Sequence, residues 1–195
     1  MPKITAGTVA EHRAMKERQV VGAAVELLTG EGPSAVTPAA VAERAGLART
    51  SVYQYARSGN DLVALAVEEV FVRVNAALAD ALEAAGPDPV DRLEAIIRTV
   101  LQGAADGHAP DQSVDVAALR DGQQARLRHL HDDLMAPLAA AIQGAGAEDV
   151  PALTAISWGA INGVVPLIGH GMPVDRAVAL VVAYVRAGVA STARE

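Results

Sequence analysis

Apolar residues recur at helical spacing along almost the whole chain, interrupted by clusters of glycine, proline and capping residues. Val20, Ala24, Leu27 and Leu28 form the first stripe, which ends at Gly30-Glu31-Gly32-Pro33. Thr37-Pro38 reads as the next helix start: threonine caps free amides, and proline lacks the amide that a first turn leaves unpaired. That helix covers residues 38–44 and stops near Ala45-Gly46, since glycine readily adopts the left-handed conformation after a helix end. A second short helix is predicted over residues 48–56. Ser58 and Asp61 resemble a weakened capping box for a long helix, residues 60–84, that buries Val63, Val67, Val70, Val74 and Leu78. Beyond the break Gly86-Pro87-Asp88-Pro89, the residues Leu93, Ile96, Ile97, Val100 and Leu101 make the strongest amphipathic stripe. Residues 103–113 read as a loop, and 123–143 as a helix bent or offset at Pro137. Two final helices, 151–170 and 174–192, are joined by Gly171-Met172-Pro173. No stretch keeps the two-residue period of a strand, and no internal repeat is visible. The pattern predicts an all-α chain of about nine helices, with a three-helix N-terminal unit over residues 1–60 and a larger body over 61–195.

Composition agrees with that reading. Hydrophobic residues make up 51% of the 195 residues but aromatics only 3%, a balance that favours helices over sheets. With no cysteine, a disulfide framework and a thiolate metal site are both excluded. The first residues, MPKITAGTVAEHRAMKERQ, hold no apolar segment of the secretory-signal kind, so a soluble cytoplasmic protein is expected. Residues 150–169 carry no formal charge and are nearly long enough to span a bilayer. They hold Thr154, Ser157, Asn162 and Pro166 and lack basic flanks, so a buried or interface helix explains them better than a membrane span. Charge is uneven. Residues 1–57 hold seven Lys/Arg against five Glu, whereas the rest of the chain carries a balance of −9 within a total of −7. A mildly basic N-terminal module on an acidic body is compatible with a polyanionic partner.

The segment 37-TPAAVAERAGLARTSVYQYA-56 has the form of a helix-turn-helix, two short helices joined by a turn containing glycine. Ala40, Val41, Ala45, Leu47, Val52 and Ala56 can share a small core with the preceding helix. Arg49 with Tyr53, and Thr50 with Gln54, are each four apart and occupy one outward face of the second helix. Arginine can pair with guanine, glutamine with adenine, and threonine with a thymine methyl, while a tyrosine hydroxyl suits a phosphate. A solvated polar helix face has the same residues, and spacing alone leaves both readings open.

The order of helix, Gly-x-x-x-Val-Thr, short helix, Ala-Gly-Leu, Thr-Ser-Val-Tyr-x-Tyr and long helix resembles the TetR family of transcriptional regulators. The resemblance covers about residues 16–70, with AERAGLARTSVYQYARSGNDL as its motif. It implies a homodimer that binds double-stranded, palindromic operator DNA through the N-terminal helices, with a larger C-terminal domain that binds a small ligand and dimerises. By position, the family's DNA-contacting residues fall on Arg49, Thr50, Ser51, Tyr53, Gln54 and Tyr55, with Thr37 near phosphate at the cap of the preceding helix. The chain departs from the family in having Ala56 for a usual aromatic and Gly59 for a usual phosphate-binding lysine. Arg57 is the candidate substitute for that lysine, and Lys3, Arg13, Lys16 and Arg18 could add backbone contacts.

Elsewhere the chemistry is sparse. His129 and His131 lie beside Asp132 and Asp133, but helix positions two apart diverge, so a solvated face is expected and no metal or other cofactor. No nucleophile–base arrangement, phosphate loop or carboxylate pair points to an enzyme. Gly159, Gly163 and Leu167 lie on one helix, and Ala177, Leu180, Val181, Tyr184, Val185 and Gly188 form a stripe on the last one. Two such helices from each protomer predict a four-helix dimer interface, because a monomer would expose too much apolar surface. A ligand cavity, if present, draws walls from Leu93, Ile97, Leu101, Leu119, Leu134 and Leu138. Arg120, His129, Trp158 or Asn162 would serve as polar anchors for a largely apolar organic effector. The expected function is a ligand-responsive regulator, a repressor released by its effector. The alternative is a helical small-molecule-binding or protein-interaction module whose DNA binding is weakened or lost.

Overall fold

A computed structural model describes residues 6–107 and 119–192. Eight α-helices and one 3-10 turn account for the secondary structure among them. In chain order these are α1 (Ala6–Glu31), the 3-10 turn (Pro33–Ala35), α2 (Pro38–Ala45), α3 (Arg49–Val52) and α4 (Gly59–Ala85). There follow α5 (Pro89–Ala105), α6 (Asp121–Gly144), α7 (Val150–Gly169) and α8 (Val174–Thr192). The all-α expectation holds. The loop expected over 103–113 begins later, since α5 runs on to Ala105, and residues 108–113 lie outside the described residues.

Local chemistry explains the ends. Thr37 is extended, and its Oγ1 accepts the Ala40 amide at 3.2 Å, with Pro38 in the first turn of α2. At the other end Gly46 takes φ 65°, and the Leu47 amide closes back on the Ala42 carbonyl at 2.9 Å. That left-handed closure is the reason a glycine stands there. Asp88 caps α5 by accepting the Val90 and Asp91 amides, and Asp149 caps α7 through Ala152. Ser58 caps the start of α4, its Oγ accepting the Asp61 amide at 3.1 Å, while Asp61 Oδ2 accepts the amide of Arg57, one residue before the cap, at 2.9 Å, so the two halves do not close on the same residue.

The chain forms two compact units. Among described residues one comprises 6–69 and 119–126, the other 70–107 and 127–192. The seam therefore lies inside α4, nine residues beyond the expected boundary at 60, because the first turns of α4 bury Leu62, Val63, Ala64, Ala66 and Val67 with the first unit. In that unit α1 packs on α2, and α2 on α3. Val20, Ala24, Leu27, Leu28, Val41, Val52 and Ala56 form its core. Each fully buried Val or Leu contributes about 1.5–3 kcal/mol. In the second unit α5 packs on α7 and α8, and α7 on α8. The predicted α5 stripe is buried throughout, alongside Leu134, Leu138 and Ile142 of α6, Ile161 of α7, and Val181 and Val185 of α8.

Candidate nucleic-acid interface

The α2–turn–α3 hairpin presents the residues that chemistry singled out. Helix α3 is far shorter than the predicted 48–56, ending at Val52. Its continuation tightens: the Gln54 amide bonds Ser51 O and the Tyr55 amide bonds Val52 O, three residues back rather than four. Tyr53 nevertheless stays in line with Arg49. Arg49 Nη2 donates to Tyr53 Oη at 3.2 Å, and the guanidinium lies 5.9 Å from the ring centroid. Both are exposed, as are Thr37, Thr50, Gln54 and Arg57, while Ser51 is half-buried. Val52 and Ala56 face inward. Small Ala56, standing for a usual aromatic, is thus a core position.

Tyr55 behaves differently. It is half-buried, and its hydroxyl donates to the backbone carbonyl of Arg13 on α1 at 3.5 Å, so it ties α1 to the hairpin. Gly59 also has a geometric explanation. A Cβ placed there would lie 3.1 Å from the Val36 carbonyl oxygen, tighter than ordinary contact, so the chain passes closer than a lysine comfortably permits. Lys3 lies outside the described residues; Arg13 and Arg18 are exposed and Lys16 is half-buried on α1.

The residues expected to line a ligand cavity divide by environment. Leu93, Ile97, Leu101, Leu134 and Leu138 are all core residues of the second unit, and Trp158 and Asn162 are half-buried on α7. Trp158 meets the edge of His131, 5.8 Å between centroids, and His131 in turn meets Phe71 at 6.3 Å. Near them Asn75 donates to Leu130 O, while Asn75 Oδ1 and Thr154 Oγ1 are buried without a hydrogen-bond partner. His129 points away, its Nε2 lying 3.6 Å from Asp133 Oδ2 on an exposed face. Leu119 is buried in the first unit, where the Arg120 guanidinium lies on Asp61. Two open clefts, about 410 and 560 Å³, run along α4 and α5 and share Arg98 and Thr99; none of the expected ligand residues lines them.

The expected dimer residues divide as well. Gly159, Gly163, Leu167, Leu180 and Tyr184 are exposed, joined by Ile156. Ala177, Val181 and Val185 are buried on the inner side of α8. A Cβ at Gly188 would lie 3.1 Å from the Leu153 side chain, so this glycine lets α7 and α8 of one protomer approach. Val150–Gly169 is long and apolar enough to cross a membrane, and only 22% of its most apolar window is buried.

Residues 20–66, the hairpin with its flanking helices, match the family model for bacterial regulatory proteins of the tetR family. No curated protein sequence matches the chain significantly. Solved structures resemble it over nearly their whole length. A TetR-like transcriptional regulator from Rhodococcus sp. RHA1 is 22% identical, with TM-score 0.73 over 91% of this chain and 97% of that one. A TetR-family transcriptional regulator from Streptomyces coelicolor is 13% identical, with TM-score 0.74 over 100% and 98%. The transcriptional regulator FadR from Bacillus subtilis, solved in complex with stearoyl-CoA, is 14% identical, with TM-score 0.72 over 87% and 97%. At such identities these likenesses show the fold. Residues 20–66 thus match the tetR family of bacterial regulatory proteins, and the chain as a whole has the fold of solved TetR-family regulators.

Proposed function

We propose that this chain is a sequence-specific, ligand-responsive DNA-binding regulator, a dimeric cytoplasmic repressor released by a small, largely apolar effector, and not an enzyme. The observation that carries the DNA-binding reading is the exposed Arg49–Tyr53 pair on the helix-turn-helix. Tyr53, just past the end of α3, holds the guanidinium, so less side-chain freedom is lost when Arg49 meets a base edge. Arg49 reads guanine, Gln54 adenine, and Thr50 a thymine methyl, while Thr37, Ser51, Tyr53 and Arg57 set register on phosphates. Tyr55 contributes by holding the hairpin to α1, with its hydroxyl near enough to the surface to reach a phosphate.

Dimerisation through the exposed Ile156, Gly159, Gly163, Leu167, Leu180 and Tyr184 face supplies two reading heads for half-sites about 34 Å apart. The effector reading draws on the unpaired Asn75 Oδ1 and Thr154 Oγ1 beside the Phe71–His131–Trp158 aromatic chain, a polar spot in an otherwise apolar unit. Because FadR was solved with stearoyl-CoA, a long-chain acyl thioester is the first effector to try. Effector binding shifts the population toward a conformation in which α4 carries the heads out of groove spacing. Selection of bound sequences from random duplex DNA tests the reading. Wild type should enrich one palindrome that Arg49→Ala and Tyr53→Ala fail to retain at moderate salt. No enrichment at any salt refutes sequence-specific binding and leaves the module without DNA binding as the better account.

A further inference from the structure

We infer that Arg120, far outside the helix-turn-helix in sequence, is a positioning residue of the DNA-reading head and acts through Asp61. The inference rests on the DNA-binding reading above. Asp61 is 6% exposed, an unusual burial for a carboxylate. Its Oδ2 accepts the Arg57 amide at 2.9 Å. Its Oδ1 receives Arg120 Nη2 at 3.0 Å and Nε at 3.1 Å. One carboxylate therefore joins the turn that presents Arg57 to the residue preceding α6.

Arg120 arrives prearranged for this contact. Gln123 Oε1 accepts both its backbone amide, at 3.3 Å, and its Nε–H, at 3.2 Å. The Gln123 and Gln124 amides close back on the Arg120 carbonyl, and Gln124 Nε2 donates to the Leu119 carbonyl at 2.8 Å. Leu119 itself is buried, which anchors the segment. A second ion pair repeats the arrangement farther along the same helices, with Arg126 Nε on Glu68 Oε2 at 3.3 Å. All of these residues belong to the first compact unit.

Charge gives the contact its consequence. A buried carboxylate beside the Arg57–Gly59 turn would repel DNA phosphate at the point where the chain lacks the family's lysine. Arg120 cancels that charge and fixes the carboxylate so that Oδ2 stays on the Arg57 amide. Without Arg120, Asp61 is left with an uncompensated negative charge and a looser hold on the turn.

A double-mutant cycle on affinity for the selected operator tests this, with amide hydrogen exchange followed at Arg57 in the free protein. Arg120→Gln should weaken operator binding about tenfold, as expected when a buried carboxylate loses its charged partner. In the presence of Asp61→Asn, which keeps an acceptor for Arg57 but no charge, adding Arg120→Gln should cost less than about twofold. Arg57 exchange should accelerate in Arg120→Gln, and Arg120→Lys should recover much of the affinity. Additive losses in the cycle, unchanged Arg57 exchange, or a lysine variant as weak as the glutamine one each overturn the proposal. If wild type selects no DNA, the DNA-binding reading fails instead. Arg57 exchange then still decides whether Arg120 holds the turn.

Discussion

Replacing Tyr184 by alanine tests whether the exposed α7–α8 face joins two copies of the chain. Tyr184 is 54% exposed in the single protomer and shares its face with Leu180 at 51%, Ile156 at 48% and Leu167 at 47%. A buried tyrosine removes ~200 Å² from water, so roughly half of that, ~100 Å², remains to be covered by association. At ~25 cal/mol per Å² this amounts to ~2.5 kcal/mol, and a two-fold axis counts it twice. Alanine retains part of the contact, and the solvated ring tolerates the unpaired state, which brings the expected loss to ~3 kcal/mol, or a dimer constant weaker by ~100-fold. Sedimentation equilibrium over a wide concentration range reads that constant directly. Because the side chain is outside the protomer core, monomer unfolding by urea should change little. A dimer constant within twofold of wild type would refute the interface; so would a variant that unfolds without dissociating, since Tyr184 would then be a core residue.

Three further outcomes are expected. Thr37→Ala should destabilise the first unit by ~1 kcal/mol, because the Ala40 amide loses its cap, and Thr37→Ser should restore that stability in urea titrations. Gly59→Lys should steepen the salt dependence of operator affinity by ~0.9 in the log–log slope while lowering the thermal midpoint, since its Cβ crowds the Val36 carbonyl; an unchanged slope means the lysine does not reach phosphate. Burial pushes the Glu68 carboxyl above its ordinary value of 4.5, and the Arg126 charge only partly offsets this. The stability of the protonated form is thus fully present below 4.5 and is lost as pH rises through the folded-state value. Glu68→Gln should accordingly gain on wild type as pH climbs from 4 to 7 in urea unfolding, and a flat or opposite difference would show that Arg126 outweighs burial.

The difference between α2 and α3 shows how far a sequence reading reaches. Thr37-Pro38 and Ala45-Gly46 marked the ends of α2 because each end is decided by bonds within four residues. The same reasoning drew α3 out to residue 56, whereas the Gln54 and Tyr55 amides tighten into three-residue closures and Tyr55 lies against Arg13, forty-two residues away, with Ala56 in the core as its spacing implied. The outward face nevertheless survived, since Arg49 and Tyr53 remain one turn apart.

The C-terminal stripe was legible as apolar but not as to what it faces. Val181 and Val185 share helix α8 with Leu180 and Tyr184, yet the first pair is buried inside the protomer and the second is left at the surface. Which way each points depends on where α5 and α7 lie, and hydropathy contains no such direction.

Helical periodicity, caps and breakers, all set by interactions between near neighbours, were enough to determine the all-α class, the element order and the outward chemistry of Arg49, Thr50, Tyr53 and Gln54. Only the tertiary structure decided that Arg120 pairs with Asp61 and Arg126 with Glu68, across separations of 59 and 58 residues. Arginine and carboxylate occur at many positions, and the choice among them follows from burial: Asp61 and Glu68 are largely removed from water, so an arginine that folding brings within reach is held there by the cost of leaving the carboxylate alone.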